Sequence, residues 1–341
     1  MSRYDHDLDG LADLLPGEPA FRARQLHDGL YRQLAQPDEL STLPVPLRRH
    51  LAALPELAPA LELADARRAD DGATDKWLFR LHDGAVVETV LMRYPRRATV
   101  CVSSQAGCAM ACSFCATGQG GFGRHLQRGE IVEQVVRAAR AAREEGRRLD
   151  HVVFMGMGEP LANYDRVLAA VRSIVVDIGI GARNLTLSTV GVVPGIERLA
   201  GEPLQVSLAV SLHAANDELR SRLVPLNRRY PLDTVRAACA RYVERTHRRL
   251  SFEWALIAGV NDRTDDADEL AAIARPLHAH VNLIPLNPTP GYLAVGSSAA
   301  AVRRFRDELD RRGVNVTVRA TRGRDIAAAC GQLAGSAGAG R

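Results

Sequence analysis

Lysine is almost missing from this chain. Of 44 lysines and arginines only Lys76 is a lysine, so the positive charge is nearly all guanidinium. Such side chains on helices are mostly solvated faces. Guanidinium also forks onto phosphate, so composition permits an RNA partner without requiring one. A strong net charge is missing too, at +4 for 341 residues. No apolar run approaches the ~20 residues of a membrane-spanning helix. The opening M-S-R-Y-D-H-D-L-D-G is polar and lacks the apolar core of a signal peptide. The expected compartment is therefore the cytoplasm, where thiols stay reduced and clustered cysteines favour metal or redox chemistry over disulfides. With 46% hydrophobic residues the chain can bury one large core with a smaller unit beside it.

Cysteines are few, but three of them crowd together. C-A-M-A-C-S-F-C sets Cys108, Cys112 and Cys115 at C-x₃-C-x₂-C spacing. Three thiolates on one short loop can hold three irons of a [4Fe–4S] cube and leave the fourth iron open to a substrate. An open position makes a site chemical, whereas four protein ligands close it. Phe114, just before the third thiol, fits the radical S-adenosylmethionine (SAM) signature. The competing reading is a zinc site with Cys101 as fourth ligand. Cys239 lies in the helical pattern L-D-T-V-R-A-A-C-A-R-Y-V and reads as a small core residue.

Residues 1–65 read as a small helical domain, broken by Pro44, Pro46, Pro55 and Pro59. Residues 66–96 read as a β-hairpin, W-L-F-R-L and A-V-V-E-T-V-L-M-R-Y around Asp83-Gly84. From 97 to 330, apolar strands alternate with amphipathic helices expected at 129–145, 163–176, 232–247, 265–278 and 298–312. The strands are T-V-C-V-S, H-V-V-F-M-G, L-T-L-S-T, V-S-L-A-V-S-L, L-S-F-E-W-A-L-I, H-V-N-L-I-P-L and V-N-V-T-V-R. That alternation predicts an α/β fold, a parallel sheet under helices curled into a partial (β/α)₆-type barrel. The end, 331–341, reads as a flexible tail.

The unusual polar residues fall at or past strand C-terminal ends, the functional face of such barrels. Gly158 and Glu159 in M-G-M-G-E-P suit close backbone approach to a ligand and an ammonium contact. Ser188, Ser211, Leu212 and His213 suit the carboxylate and ribose of SAM, or are strand-end turn hydroxyls and a satisfied core histidine, and Asn287 sits between prolines in a rigid loop. Cys330 follows the last strand and Cys101 lies in the first, so both can reach the same mouth as a nucleophile and a resolving thiol, or be buried apolar thiols. Glu88 within V-V-E-T-V is either an outward strand residue or a buried base.

Taken together, R-A-T-V-C-V-S-S-Q-A-G-C-A-M-A-C-S-F-C-A-T-G, G-M-G-E-P-L-A-N-Y, L-S-T-V-G-V-V-P, V-S-L-H-A-A-N-D, N-L-I-P-L-N-P and T-R-G-R-D-I-A-A-A-C-G-Q-L-A-G resemble the RlmN/Cfr family of radical SAM RNA methyltransferases. The likeness runs from about residue 20 to 335. It implies a [4Fe–4S] cluster on Cys108, Cys112 and Cys115, and SAM bound by Gly158, Glu159, Ser188, Ser211, Leu212, His213 and Asn287. It further implies a methyl group carried on Cys330, a transient disulfide between Cys330 and the resolving Cys101, and Glu88 as proton acceptor, with two SAM per turnover. Implied substrates are 23S rRNA and tRNA, methylated at adenosine C2; C8 of rRNA is the alternative in Cfr-type relatives. A flavodoxin or ferredoxin donor and a monomer complete the expectation. His27 and Gly29, and Gly123 and His125, depart from the family pattern. The rivals from other classes are a non-catalytic zinc or Fe–S RNA-binding module, which leaves Cys330 idle, and a radical SAM enzyme with a non-RNA substrate, which needs no paired Cys101 and Cys330.

Overall fold

Strands buried on both faces need cover on each; in a curled parallel sheet the helices cover the outer face and the inner face closes on itself. In the computed structural model, which describes residues 2–320 and 322–335, the strands are β1 (Leu61–Ala69), β2 (Thr74–Leu81), β3 (Val86–Tyr94), β4 (Arg97–Cys101), β5 (Gln105–Gly107), β6 (Phe122–His125), β7 (Leu149–Phe154), β8 (Leu185–Thr189), β9 (Ser207–Ser211), β10 (Leu250–Leu256), β11 (His280–Pro285) and β12 (Val316–Val318). Ten of them form one sheet in the order β1-β2-β3-β4-β7-β8-β9-β10-β11-β12. From β4 onward every pairing is parallel. β5 and β6 make a separate antiparallel ribbon.

All seven expected strands of the parallel half are present. Helices Arg128–Glu144, Tyr164–Ser173, Val193–Ala200, Asp217–Leu223, Leu232–Thr246, Thr264–Ala274 and Ala299–Arg311 connect them. The sheet stays open at β1 and β12, so the architecture is the expected partial barrel: six parallel strands, each followed by a helix, with β12 added at the edge. Two helices escaped the sequence reading, Val193–Ala200 and Asp217–Leu223. Both are short, and their apolar stripes span only two turns.

The antiparallel part is larger than the expected hairpin. β1, β2 and β3 form a three-stranded meander that continues the main sheet through β4. β1 begins at Leu61, inside the stretch read as helical. Its sequence L-E-L-A-D-A-R-R-A is mostly exposed, so no apolar alternation announces it, and pairing with β2 alone makes it a strand. The N-terminal helices Leu8–Asp13, Phe21–Tyr31 and Val45–Ala53 share one continuous core with the barrel. The second of them docks on the helix Arg128–Glu144, where Tyr31 Oη accepts from Arg128 Nη2 at 3.1 Å, and Asp5, which precedes the three helices, accepts from Gly129 N at 2.7 Å. His27 stacks beside Tyr31 at 4.7 Å and lies 3.4 Å from Asp177. A Cβ at Gly29 would overlap Leu40. Both departures near the N-terminus are thus answered by local packing. The same holds on the β5–β6 ribbon, where His125 Nδ1 lies 3.0 Å from Gln105 Nε2 and a Cβ at Gly123 would sit 3.0 Å from the Ala106 carbonyl oxygen.

Residues 331–335 are not a loose tail. Leu333 is 5% exposed and belongs to the core, and the segment is fastened by hydrogen bonds described below. Residues 336–341 of the expected tail lie outside the described residues. Among the described residues no helix is long and apolar enough to cross a membrane.

Candidate active site

The turns past β4, β7, β8, β9 and β11 meet at one cavity of about 150 Å³. The loop after β4 brings Cys112, Phe114 and Cys115 to its wall. Gly158 and Glu159 come from the turn after β7, and Ser188 from the end of β8. Ser211 and His213 come from β9, and Asn287 from beyond β11. Cys330 closes the cavity from the C-terminal side. Sequence placed these residues at strand ends, and the fold brings them together.

Two of the residues expected to hold the cluster and SAM do not face this cavity. Leu212 is 1% exposed in the core; its N–H donates to the Glu253 carbonyl and its own carbonyl accepts from Arg220 Nε at 3.1 Å. Cys108 begins the cysteine loop without lining the cavity, and its N–H donates to the Gly121 carbonyl at 2.7 Å. Gly158 is required where it stands: φ is +100°, and a Cβ would come within 2.5 Å of the Gln105 side chain.

Burial sets the electrostatics. Glu159 is 2% exposed; Oε1 accepts from Leu161 N at 3.0 Å and Oε2 from Val190 N at 2.9 Å. Those two donors favour the carboxylate, but desolvation wins and lifts its pKa to about 7. No cation pairs with it among the described residues. His213 is pushed down to about 3 by burial, so it is neutral, and its Nδ1 accepts from Ala255 N at 2.9 Å. Its ring meets Phe114 edge-on at 4.7 Å, which ties the cysteine loop to the end of β9. Arg220, 1% exposed, braces the same turns through the carbonyls of Val190 and Leu212 and the amide of Asn227.

A second cavity, of about 60 Å³, lies beside the first and contains both remaining thiols of interest, Cys101 and Cys330. Met155, Ile284, Asn287, Arg319 and Cys330 line both cavities. Cys330 thus stands in the partition between them. Burial pushes the Cys101 thiol up to about 12. Arg319 is held firmly cationic by Cys330 and by Glu253, whose Oε2 is 3.3 Å away. Glu88 is buried as one of the two sequence alternatives supposed, but it lines neither cavity. Its Oε1 is 2.8 Å from Lys76 Nζ, and its Oε2 accepts from Ala334 N at 2.8 Å.

Sequence reasoning passed over Glu253 and Arg319. Glu253 interrupts the apolar strand L-S-F-E-W-A-L in the same way that Glu88 interrupts its own, so a charge inside a buried strand was the available signal. Arg319 follows β12, a strand of three residues, and carries no local mark.

The donor set fits a SAM-chelated iron–sulfur cluster. Three thiols share one loop, and among the described residues a buried carboxylate has no cation and Asn287 Oδ1, buried in the cavity wall, has no partner. Among the described residues no three His, Cys, Asp or Glu side chains converge on a single point as ligands of one metal ion. A cube asks for no such convergence, because each thiolate takes a different iron. The zinc reading did ask for it, and its fourth ligand, Cys101, faces the second cavity instead.

A parallel partial barrel with this cysteine loop and these strand-end turns defines a radical SAM enzyme, and residues 102–272 match the Radical SAM superfamily. Two relatives named as probable dual-specificity RNA methyltransferase RlmN narrow the class. That of Frankia alni is 55% identical, over 93% of this chain and 78% of its own length. That of Chloroflexus aurantiacus is 51% identical, over 97% of this chain and 92% of its own. A solved radical SAM methyltransferase from Sphaerobacter thermophilus superposes with a TM-score of 0.94 at 53% identity, covering 98% of this chain and 100% of that one. The chain belongs to the RlmN family of radical SAM RNA methyltransferases.

Proposed function

We propose that this enzyme methylates carbon 2 of adenosine in 23S rRNA and in tRNA, at the adenosine 3′ to the anticodon, through a methyl group carried on Cys330. The observation that supports this most is the position of Cys330 in the partition between a cavity lined by the cysteine loop and one that holds Cys101. Adenine C2 is not nucleophilic, so displacement on SAM cannot methylate it, and the methyl group must be handed over in activated form from a carrier. A carrier thiol has to see the methyl source on one side and the base on the other.

When bound on Cys108, Cys112 and Cys115, the cluster with SAM supplies a 5′-deoxyadenosyl radical, and a further SAM supplies the methyl group. The chain's own residues do the rest. Glu159 holds the SAM amino group, and Ser188, Ser211 and Asn287 bind its polar edge. Cys330 loses its proton on accepting the methyl group and becomes a thioether. Joining the carbon to adenine costs C2 its hydrogen, as a proton and one electron that a bound cluster would take back; Cys101 then gives up its proton and attacks the Cys330 sulfur. The S–S bond forms, the S–C bond breaks, and the electron pair leaves with the carbon, which is protonated to a methyl group. Burial of Cys101 keeps that thiol protonated until the attack. Glu88 takes up a proton in this scheme only once its Oε2 is released from the amides of Ala334 and Gly335. The N-terminal helices dock the RNA, and a flavodoxin or ferredoxin supplies electrons.

The test is anaerobic reconstitution with iron and sulfide, then incubation with SAM, reductant and rRNA or tRNA, with nucleosides read by mass spectrometry. 2-Methyladenosine in both RNAs is the expected result. 8-Methyladenosine would move the enzyme to Cfr-type chemistry. 5′-Deoxyadenosine without any modified base would reassign the substrate.

A further inference from the structure

An ammonium is costly to bury unless it is paired and hydrogen-bonded, and this chain buries its one lysine. The Lys76 side chain is 9% exposed, and its Nζ lies 2.8 Å from Glu88 Oε1. The same Nζ donates to the Ala327 carbonyl at 3.3 Å. The other oxygen of Glu88 accepts from Ala334 N at 2.8 Å and from Gly335 N at 3.3 Å. Ala327 precedes Cys330 and Ala334 follows it, so a single buried pair on β2 and β3 fastens both ends of the strap that carries the thiol.

The middle of the strap is fixed from the opposite side. Ala116 N donates to the Gly331 carbonyl at 2.8 Å, Thr117 Oγ1 to the Leu333 carbonyl at 2.6 Å, and Asn287 Nδ2 to the Cys330 carbonyl at 3.1 Å. Two of those three donors follow the cysteine loop directly, so its placement depends on a loop that also holds the cluster ligands. The Lys76–Glu88 end depends on nothing but protein. An ammonium suits it better than a guanidinium, because one compact nitrogen can serve a carboxylate and a carbonyl in different directions, where a planar fork would need more room.

We infer that Lys76 is a positioning residue for Cys330. Through Glu88 and the Ala327 carbonyl it holds the strap closed with the thiol between the two cavities, and loss of the pair lets the strap open while the barrel stays folded. The strap geometry stands by itself, and its consequence for methyl transfer rests on the function proposed above.

The experiment uses the full chain without cluster, as wild type, Lys76→Met, Lys76→Arg and Glu88→Gln. Hydrogen exchange of the amides in 328–335 and the rate at which iodoacetamide reaches Cys101, which is buried in the second cavity behind Ala328, Ala329 and Leu333, are read by peptide mass spectrometry. Lys76→Met should raise both by about tenfold or more, with exchange in β8 to β10 unchanged. Lys76→Arg should restore part of the protection, because the charge returns without the fit. In the reconstituted Lys76→Met enzyme, 5′-deoxyadenosine formed per methylated nucleoside should rise by a similar factor. Exchange and alkylation within twofold of wild type in folded Lys76→Met would overturn the inference. If that variant does not fold, unchanged readings in both Lys76→Arg and Glu88→Gln would overturn it equally. An opened strap, with no methylated nucleoside even from wild type, would leave the positioning role standing and remove the functional reading.

Discussion

The two walls of the active site are built by opposite means. The wall on the cofactor side is made of short turns at the ends of β7, β8, β9 and β11, each positioned by the strand it leaves. The wall on the thiol side is a C-terminal strap with no sheet pairing of its own, held by bonds that span most of the chain, from Lys76 to Ala327 and from Glu88 to Ala334. A strand end is rigid because the whole sheet would have to move with it. A strap held by a few bonds can open locally at much smaller cost. The difference suits the chemistry: a cofactor site gains from preorganisation, whereas a carrier thiol must meet two reactants in turn. The sharpest way to separate the walls is to remove the thiols.

Cys330→Ala should abolish RNA methylation while 5′-deoxyadenosine formation persists, because the cofactor wall is untouched. Methyladenosine and 5′-deoxyadenosine measured in one reaction decide it. Methylation above a few per cent of wild type would mean that Cys330 carries nothing. Cys101→Ala should instead leave the strap joined to RNA, visible as a protein–RNA adduct on a denaturing gel that ribonuclease trims. Normal turnover without adduct would remove Cys101 from the resolving role.

A smaller effect tests the rigid wall alone. Burial raises the Glu159 pKa from its ordinary 4.5 to about 7, so between those values the folded state keeps a proton that the unfolded chain has released. The stability that this proton contributes is complete below about pH 4.5 and is lost as pH rises through 7. Glu159→Gln imitates the protonated acid in charge, but its amide nitrogen cannot accept, so one of the two backbone N–H groups loses its partner at every pH. In urea unfolding of the protein without cluster, that loss sets a constant offset between variant and wild type near pH 4.5. From there to pH 8 the difference should move in favour of the variant by about 3 kcal/mol. The depressed pKa of His213 adds an opposite trend, stability lost as pH falls from about 6.5 toward 3, but it is common to both proteins and cancels in the difference. A difference that does not change with pH would mean that Glu159 is ionised in the fold at all these values.

The same contrast explains what could be read from the sequence. The parallel strands and their turns were legible because each signal is local: an apolar run, then Gly158-Glu159, Ser188 or Ser211 at its end. Cys101 and Cys330 could be placed near one mouth because each adjoins a strand. The grip on the strap could not be read, because Lys76 and Glu88 sit on neighbouring strands far from it and nothing in their own segments points to residue 327 or 334. β1 was missed because its polar sequence gains a strand only from its partner. Glu253 was legible and overlooked, as a charge in a buried strand. Arg319 was not, since its meaning comes from Glu253 and Cys330.

The thiol wall also differs in what it offers at its rim. Tyr94 and Arg322 line the second cavity, with the Arg322 guanidinium 4.4 Å and that of Arg97 4.8 Å from the Tyr94 ring. Among the described residues Arg322 Nε is buried without a partner, although its Nη1 donates to the Arg93 carbonyl at 3.2 Å. If the second cavity faces RNA, the part of the Arg322 side chain that lines it can meet a phosphate beside the target base. Arg322→Ala should then weaken RNA binding only a few-fold, the smallest effect here. The slope of log affinity against log salt should fall by about 0.7 to 0.9, the loss of one phosphate contact. A filter-binding titration across salt concentrations reads both. A weaker affinity with an unchanged slope would make Arg322 a brace for the start of the strap, and the RNA-facing side of the site would then have to be sought elsewhere on the molecule.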